Sequence, residues 1–434
     1  VDERAAIPAW VEPRISRIGK TDLVIGTPSF NNASTIGYVA TVAAAGARKH
    51  FPSFEVVLVN ADGGSTDGTQ DVFCGPAAPP GIERIAFSYR GIPGKGSALK
   101  AIFEIAAKLD ARACVVLDSD LRSVKPEWVQ KLAGPIFAGF DFVSPCYIRH
   151  KHDGTITNNI CYPLTRALYG AKIRQPIGGD FGVSRHLVRT YLGKDVWATD
   201  AAKFGVDIFM TTTAIAESGR IAQAALGRKV HDAKDPAGEL GPMFSQVVST
   251  LFDMMIRYEY VWNTPELNRT AEIPGPETVG YYGGDGNGDV SVGGSGDVDG
   301  NGDRGNEPDP VPIDVPRLIA SFRNGVREHR EVLSLALGKR APVIETIASG
   351  TSDAGLGLSC EEWALVVYDF AAAYRHNVER RSLLIKALVP LYNGRVASFV
   401  SKAREMSSRQ AEELVEEQCR AFEESKPYLR DLWK

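Results

Sequence analysis

Methionine (5), cysteine (6) and histidine (7) are scarce in this 434-residue chain. The six cysteines, at 74, 114, 146, 161, 360 and 419, contain no CxxC pair and no metal-finger spacing. That excludes a thiolate-built metal centre and predicts reduced thiols, as in a cytoplasmic protein, with Cys114 a small buried hydrophobe inside an apolar strand. No apolar run approaches the ~20 residues of a membrane span, and the opening residues VDERAAIPAW do not read as a signal peptide. A basic excess is also missing. Forty-nine Lys and Arg against 53 Asp and Glu give a net charge of −4, which argues against nucleic acid or an anionic membrane as the main partner. What remains is an ordinary globular composition, 44% hydrophobic and 24% charged, long enough for two or three domains.

From residue 22 to about 230, strand-like and helix-like segments alternate. Strands are predicted at 23–27, 55–60, 85–89, 113–118 and 142–145, and helices at 35–50, 97–109 and 127–137. This rhythm predicts an α/β domain with a mostly parallel sheet covered by helices on both faces, and a ligand cleft beyond the carboxyl ends of the strands. Residues 243–262 read as one long amphipathic helix. Residues 283–310 repeat Gly-Asp-Gly-Asn-Gly units with almost no apolar side chains, the composition of a flexible loop or linker. Within it, DVDGNGD at 297–303 superficially matches a calcium loop, but Pro308 stands where the bidentate Glu belongs. Beyond 311 the chain is predicted helical, most clearly at 361–375, 379–391 and 408–424. Trp363, Tyr368, Phe370 and Tyr374 fall at helical spacing and read as core. The expected domains are an N-terminal extension (1–21), the α/β domain (22–265), the Gly/Asp-rich segment (266–312) and a helical C-terminal region (313–434).

The chemistry concentrates where strands should end. VVLDSDLRS at 115–123 closes a hydrophobic strand on Asp118-Ser119-Asp120, and period-two alternation points both carboxylates to one face. At about 4 Å two such charges repel by roughly 4 kcal/mol at an effective dielectric near 20, so a positive partner is expected. The first strand empties into Thr27-Pro28-Ser29-Phe30-Asn31-Asn32, where open backbone amides would cradle a nucleotide. The second ends in NADGGSTDGT at 60–69, with Asp62 positioned to accept hydrogen bonds from a base or ribose. Gly94-Lys95-Gly96 then opens a helix, offering a cation and free amides to a diphosphate. Its spacing is not that of a Walker A loop.

Taken in order, these four pieces resemble the nucleotide-sugar glycosyltransferases of GT-A fold. The resemblance implies a Rossmann-like, mostly parallel sheet with a helical C-terminal domain. Further on, Tyr147-Ile148-Arg149 with Asp153-Gly154-Thr155-Ile156-Thr157-Asn158-Asn159, then Gln175-Pro176-Ile177-Gly178-Gly179-Asp180, Phe204-Gly205-Val206-Asp207 and His231 are similar to the retaining mannosylglycerate and glucosylglycerate synthases and the related glucosyl-3-phosphoglycerate synthases. In that family Arg149 and Thr157 would hold an acceptor carboxylate, with Asn158 beside them. The turn with Gly178, Gly179 and Asp180 would line the acceptor site, and Asp207 would reach the donor sugar. Asp120 and His231 would hold Mn²⁺ or Mg²⁺. Thr27, Pro28, Ser29, Asp62, Asp118 and Ser119 would contact the donor. The chain departs from the mannosylglycerate pattern at Asp232, where those enzymes carry a basic residue after the metal histidine.

The resemblance thus implies a metal-dependent retaining hexosyltransferase. It would move glucose or mannose from a GDP- or UDP-sugar to D-glycerate or 3-phosphoglycerate, and form a homo-oligomer, such as a dimer, through the helical tail. Lys95, Asp207 and Asp180 are the catalytic candidates; Asp180 would be the general base if the reaction inverted. Three rivals stay open. One is an inverting polysaccharide transferase of the same fold, although QxxRW and membrane spans are missing. Another is a sugar-1-phosphate nucleotidyltransferase, whose Gly-rich first loop TPSFNN lacks. The third is a binding module without activity.

Overall fold

The computed structural model describes residues 5–75, 82–217, 219–231, 240–264, 311–350 and 356–434. The Gly/Asp-rich segment, its calcium-like stretch and Asp232 lie outside the described residues. The chain forms two compact units. One takes the described residues up to Ile148 and again from Gln175 to His231; the other takes Arg149–Arg174 and the described residues from 240 onward. The expectation placed one α/β domain over 22–265; in this grouping Arg149–Arg174 goes with the C-terminal helices.

The first unit is built on a seven-stranded sheet of order β3-β2-β1-β4-β6-β5-β7. Its strands are β1 (Leu23–Ser29), β2 (Val56–Asp62), β3 (Ile82–Ser88), β4 (Ala113–Val116), β5 (Phe142–Ile148), β6 (Phe181–Ser184) and β7 (Ile221–Arg228). Strands β1 to β4 are parallel, β6 runs antiparallel to β4 and β5, and β7 is parallel to β5. Sequence periodicity missed β6 and β7. β6 has only four residues, and β7, Ile-Ala-Gln-Ala-Ala-Leu-Gly-Arg, is too poor in β-branched side chains to signal a strand. Strand β4 is also shorter than expected. It stops at Val116, so Asp118 and Asp120 stand on a loop and their arrangement is not set by strand alternation.

Helices α1 (Ala33–His50), α2 (Lys95–Lys108), α3 (Pro126–Phe137) and α4 (Val206–Glu217) belong to this unit. The Ala-rich face of α1, with Ile36, Val39, Ala43 and Ala47, and the Trp128–Val129–Leu132 face of α3 join Ile25, Leu58 and Val115 of the sheet in one core. Small residues let these layers touch. Gly182 in β6 lies so near α3 that a Cβ there would stand 2.1 Å from the Leu132 carbonyl oxygen.

In the second unit, the helix expected over 243–262 is two: α5 (Leu240–Arg257), then a four-residue turn (Glu259–Trp262) after a break at Tyr258. The helix expected over 379–391 instead runs from Arg381 to Ala403 (α8), passing through Pro390. It packs on α6 (Val315–Glu328), and the proline ring lies against Gly325, where a Cβ would come within 2.2 Å of it. Between them in sequence lies α7 (Cys360–His376), and α9 (Ser408–Glu424) follows, opened by a capping box at Ser407 and Gln410. The expectation that no stretch is apolar enough to span a membrane also needs correction. Val378–Ala403 meets that test by length and composition with mean hydropathy 1.3, but 78% of its most apolar window is buried. Trp363, Tyr368, Phe370 and Tyr374 are buried, as core residues should be.

Two glycine variants test this packing. Gly182→Ala should lose about 1–3 kcal/mol through overpacking, read as a lower urea midpoint. Gly134→Ala, inside α3 with nothing within 4 Å of its Cβ position, should gain about 0.4–1 kcal/mol. Equal midpoints for the two variants would contradict the packing described.

Candidate active site

The carboxyl ends of β1, β2 and β4 define one edge of the sheet. Ser29 pairs in register with Asp62, and its hydroxyl donates to Asp62 Oδ1 at 2.8 Å. Asp62 is fully buried and also accepts from Gly64 N, Ser65 N, Ser65 Oγ and Gln70 Nε2. In this structure, then, the carboxylate is held by donors within the protein and shapes the loop. The open amides expected after β1 are likewise filled. Phe30 N donates to Asn32 Oδ1, Asn31 N to Ser65 Oγ, Asn32 N to Thr69 Oγ1 and Ala33 N to Asp67 Oδ2. Thr27, Pro28 and Ser29 are buried strand residues. What the loop does present is Phe30, 63% exposed and packed beside Gly63.

The amides flanking Lys95 are also used internally. Gly94 N donates to the Tyr89 hydroxyl at 2.9 Å and Gly96 N to the Lys203 carbonyl at 3.1 Å. Both glycines are needed for closeness, since Cβ atoms there would meet the carbonyl oxygens of Ala202 at 2.6 Å and Ala201 at 2.0 Å. This docking brings the 200–207 segment to Lys95. Lys95, the first residue of α2, puts its Nζ 2.9 Å from Asp118 Oδ1 and 3.3 Å from Asp207 Oδ1.

Asp118 is held from its other side by Lys229, whose Nζ lies 2.9 Å from Asp118 Oδ2, 3.0 Å from Asp180 Oδ2 and 2.9 Å from the Gly178 carbonyl oxygen. Sequence reading missed Lys229. Its only signal was position, two residues before His231 at the end of an unrecognised strand. A bulge sets its direction: β5–β7 register slips by one residue after Cys146↔Ala225, so that Tyr147 pairs with Gly227 at φ +77°. The Gly178–Gly179 turn docks on β5 through Gln175, which bonds both the N–H and C=O of Tyr147. Gly179 (φ +95°) has no room for a side chain; its Cβ would lie 2.1 Å from Asp118 Oδ2.

Asp180 is fully buried. Its Oδ1 accepts the Asp118 N–H at 2.7 Å, while its Oδ2 accepts from the Tyr147 hydroxyl and Lys229. Each oxygen of Asp180, the general-base candidate of the inverting alternative, thus accepts at least one hydrogen bond within the protein. Electrostatics follow the geometry. Burial raises the cost of charge on Asp118, yet Lys95 and Lys229 outweigh it and hold its carboxyl far below the usual range. Burial likewise opposes the ammonium of Lys95, which Asp118, Asp207 and Asp180 hold above its ordinary value. Burial pushes the Asp207 carboxyl up, with Lys95 pulling the other way. Its buried Oδ1, near Lys95 but not aligned to accept its hydrogen, keeps an acceptor to spare.

Asp120 stands apart from this cluster. Burial and then Asp118 raise its carboxyl, while Lys229 and His231 favour its charge. Hydrogen bonds bring the two chain segments together: Arg122 N donates to the Val230 carbonyl and Val230 N donates to Ser123 Oγ, both at 2.9 Å. Ser119 turns to Asn32, donating to its Oδ1 at 2.8 Å. Among the described residues no group of three or more His, Cys, Asp or Glu side chains is arranged to hold a metal. Asp120 with His231 offers a carboxylate and an imidazole, which suits a cation completed by phosphate oxygens and water.

The second unit gathers another set. Arg149 Nη1 lies 3.4 Å from Asp153 Oδ2. Arg149 and Thr157 flank Gly154, whose Cβ would lie 3.8 Å from Arg149 Nη1 and 3.9 Å from Thr157 Cβ. Asn158 Oδ1 accepts from Arg174 Nη2 at 2.8 Å, and Arg174 is forked onto Glu412 at 2.6 and 2.8 Å.

Lys229→Met should cost about 3–5 kcal/mol, because Asp180 is left as a buried charge without its partner. Adding Asp180→Asn should recover part of that loss, a coupling read in a double-mutant cycle. The pH dependence has a definite sign. Depressed in the fold, Asp118 contributes stability present above the ordinary carboxylate range and lost as pH falls toward its folded value. Removing Lys229 should therefore move acid unfolding to higher pH, and an unmoved acid midpoint would contradict the pairing.

Residues 24–191 match the family described as Glycosyl transferase family 2. No curated protein matches the sequence. Solved structures similar to this one include glucosyl-3-phosphoglycerate synthase from Mycobacterium tuberculosis in complex with Mn²⁺, uridine diphosphate and glucosyl-3-phosphoglycerate (25% identity over 57% of this chain and 85% of that chain, TM-score 0.43). The same enzyme with Mg²⁺ and uridine diphosphate (24%, 57% and 84%, TM-score 0.42) and with Mn²⁺, UDP-glucose and glycerol 3-phosphate (25%, 57% and 85%, TM-score 0.42) is also similar. The family match and the mixed seven-stranded sheet agree: the chain carries a glycosyl transferase family 2 domain on an α/β scaffold of GT-A type, and is a glycosyltransferase.

Proposed function

We propose that this glycosyltransferase moves a hexose, glucose or mannose, from a nucleoside diphosphate sugar to a small carboxylated acceptor, D-glycerate or 3-phosphoglycerate, with retention of configuration. The observation that carries the donor reading is the charge arrangement at the strand ends: Lys95 and Lys229 clamp Asp118, and Asp120 lies within electrostatic reach of His231. Those two residues would hold Mn²⁺ or Mg²⁺, which when bound neutralises charge on a departing diphosphate. Lys95, held charged, adds a fixed cation where that charge develops. Asp207, with its spare buried oxygen, accepts a hydroxyl of the donor sugar. Phe30, exposed on the loop after β1, offers a face for the base. Retention is supported by the internal engagement of both Asp180 oxygens, Oδ1 by the Asp118 N–H and Oδ2 by the Tyr147 hydroxyl and Lys229.

The acceptor reading rests on Arg149. A guanidinium matches a planar carboxylate through two charged hydrogen bonds, and Thr157 beside it adds a hydroxyl.

The test is a matrix of GDP- and UDP-linked glucose and mannose against D-glycerate, 3-phosphoglycerate and glycerol, read by product mass. Transfer should occur to an acid and poorly to glycerol, and it should stop in excess chelator and in Asp120→Ala. Equal use of glycerol would remove the acceptor assignment, and full turnover in chelator would remove the metal.

Arg149→Ala separates acceptor from donor. Losing one partner of a buried charge pair costs on the order of 2–5 kcal/mol, so kcat/KM for the acceptor should fall at least tenfold with the donor KM nearly unchanged. Arg149→Lys should recover only part of this, because a point charge lacks the fork. A loss confined to the donor would overturn the assignment.

A further inference from the structure

The C-terminal helical unit contains a cavity of about 420 Å³, none of whose lining residues has a role above. That volume is within the range of small-molecule sites, roughly 300–1,000 Å³. Leu356, Phe399 and Leu414 give it apolar walls, and Arg395 lines it as well. Arg395 is only 5% exposed, yet among the described residues no carboxylate lies within ion-pair distance of it. Its partners are neutral: Nε donates to Asn159 Oδ1 at 3.2 Å, Nη1 to the Leu358 carbonyl at 3.1 Å and Nη2 to Cys360 Sγ at 3.3 Å.

A buried guanidinium without a counter-charge is costly, by several kcal/mol per ion. Burial disfavours its charge here, and Glu417 and Glu361 act on it only from beyond contact. Arg carries five N–H groups, and the three bonds above use three of them. One N–H on each terminal nitrogen remains to donate to a carboxylate or phosphate. One further feature favours an anion. The N-terminus of the 17-residue α7 opens at the cavity through Ser359 and Cys360, bringing the positive end of its dipole. Lys402 and Glu417 both line the cavity and pair with each other at 3.1 Å, so that Arg395 supplies its net positive charge.

We propose that this cavity binds a small oxyanion, a carboxylate or phosphate on a short apolar body, held by the two remaining N–H groups of Arg395. The apolar walls take the body, and the bonds to Asn159, Leu358 and Cys360 hold the guanidinium in place before the ligand arrives.

Isothermal titration of the full chain with inorganic phosphate and, separately, with propionate tests the proposal; the two arms distinguish phosphate from carboxylate recognition. All titrations use the Arg149→Ala background, so that binding at the proposed acceptor residue does not contribute. At least one of the two anions should bind with one equivalent. Arg395→Met, which removes the charge and keeps the length, should weaken it at least tenfold, and so should Leu414→Trp, which fills the cavity and leaves the charge. If Arg395→Met does not fold, Leu414→Trp decides. Absence of binding by both anions, or affinity unchanged in the folded variants, would overturn the site.

Discussion

Asp118 suspended between Lys95 and Lys229 is the constraint on which the catalytic unit depends. A carboxylate on the loop after a central strand, buried and charged, is unfavourable unless cations are held against it. Each cation comes from a different part of the chain: Lys95 from the start of α2, Lys229 from the end of β7. Bringing them together requires the bulge at Gly227, the bare approach at Gly179 and the two glycines beside Lys95. The ion cluster and the close backbone contacts therefore stand or fall together.

Labour is divided among five acidic groups that look alike in sequence. Asp62 and Asp180 are engaged by internal donors on both oxygens and act as structural joints. Asp118 is spent on the two lysines. Asp207, beside Lys95, retains a buried oxygen with no hydrogen-bond partner, and Asp120 lies within electrostatic reach of His231. Burial raises both carboxyls. The helical unit repeats the theme with opposite sign, since Arg395 is a buried cation surrounded by neutral acceptors.

The sequence by itself determined the alternation of strands and helices through residue 145, the order of the motifs at the strand ends, and the acid–lysine–histidine composition of the site. These were legible because each is local: hydrophobic period, Gly and Pro punctuation, and short motifs at the ends of strong strands. The Ala-rich helix α1 and the capped helix α9 were legible for the same reason. Tertiary structure alone decided the rest. Strands β6 and β7 exist because neighbours pair with them, and Pro390 stays inside α8 because Gly325 leaves room for its ring. The pairing of Lys229 with Asp118 spans 111 residues, and the capture of the TPSFNN amides by side chains of the next strand's loop spans more than thirty. No local pattern encodes which donor will reach which acceptor across such distances, because burial and competing partners settle that only once the chain is folded.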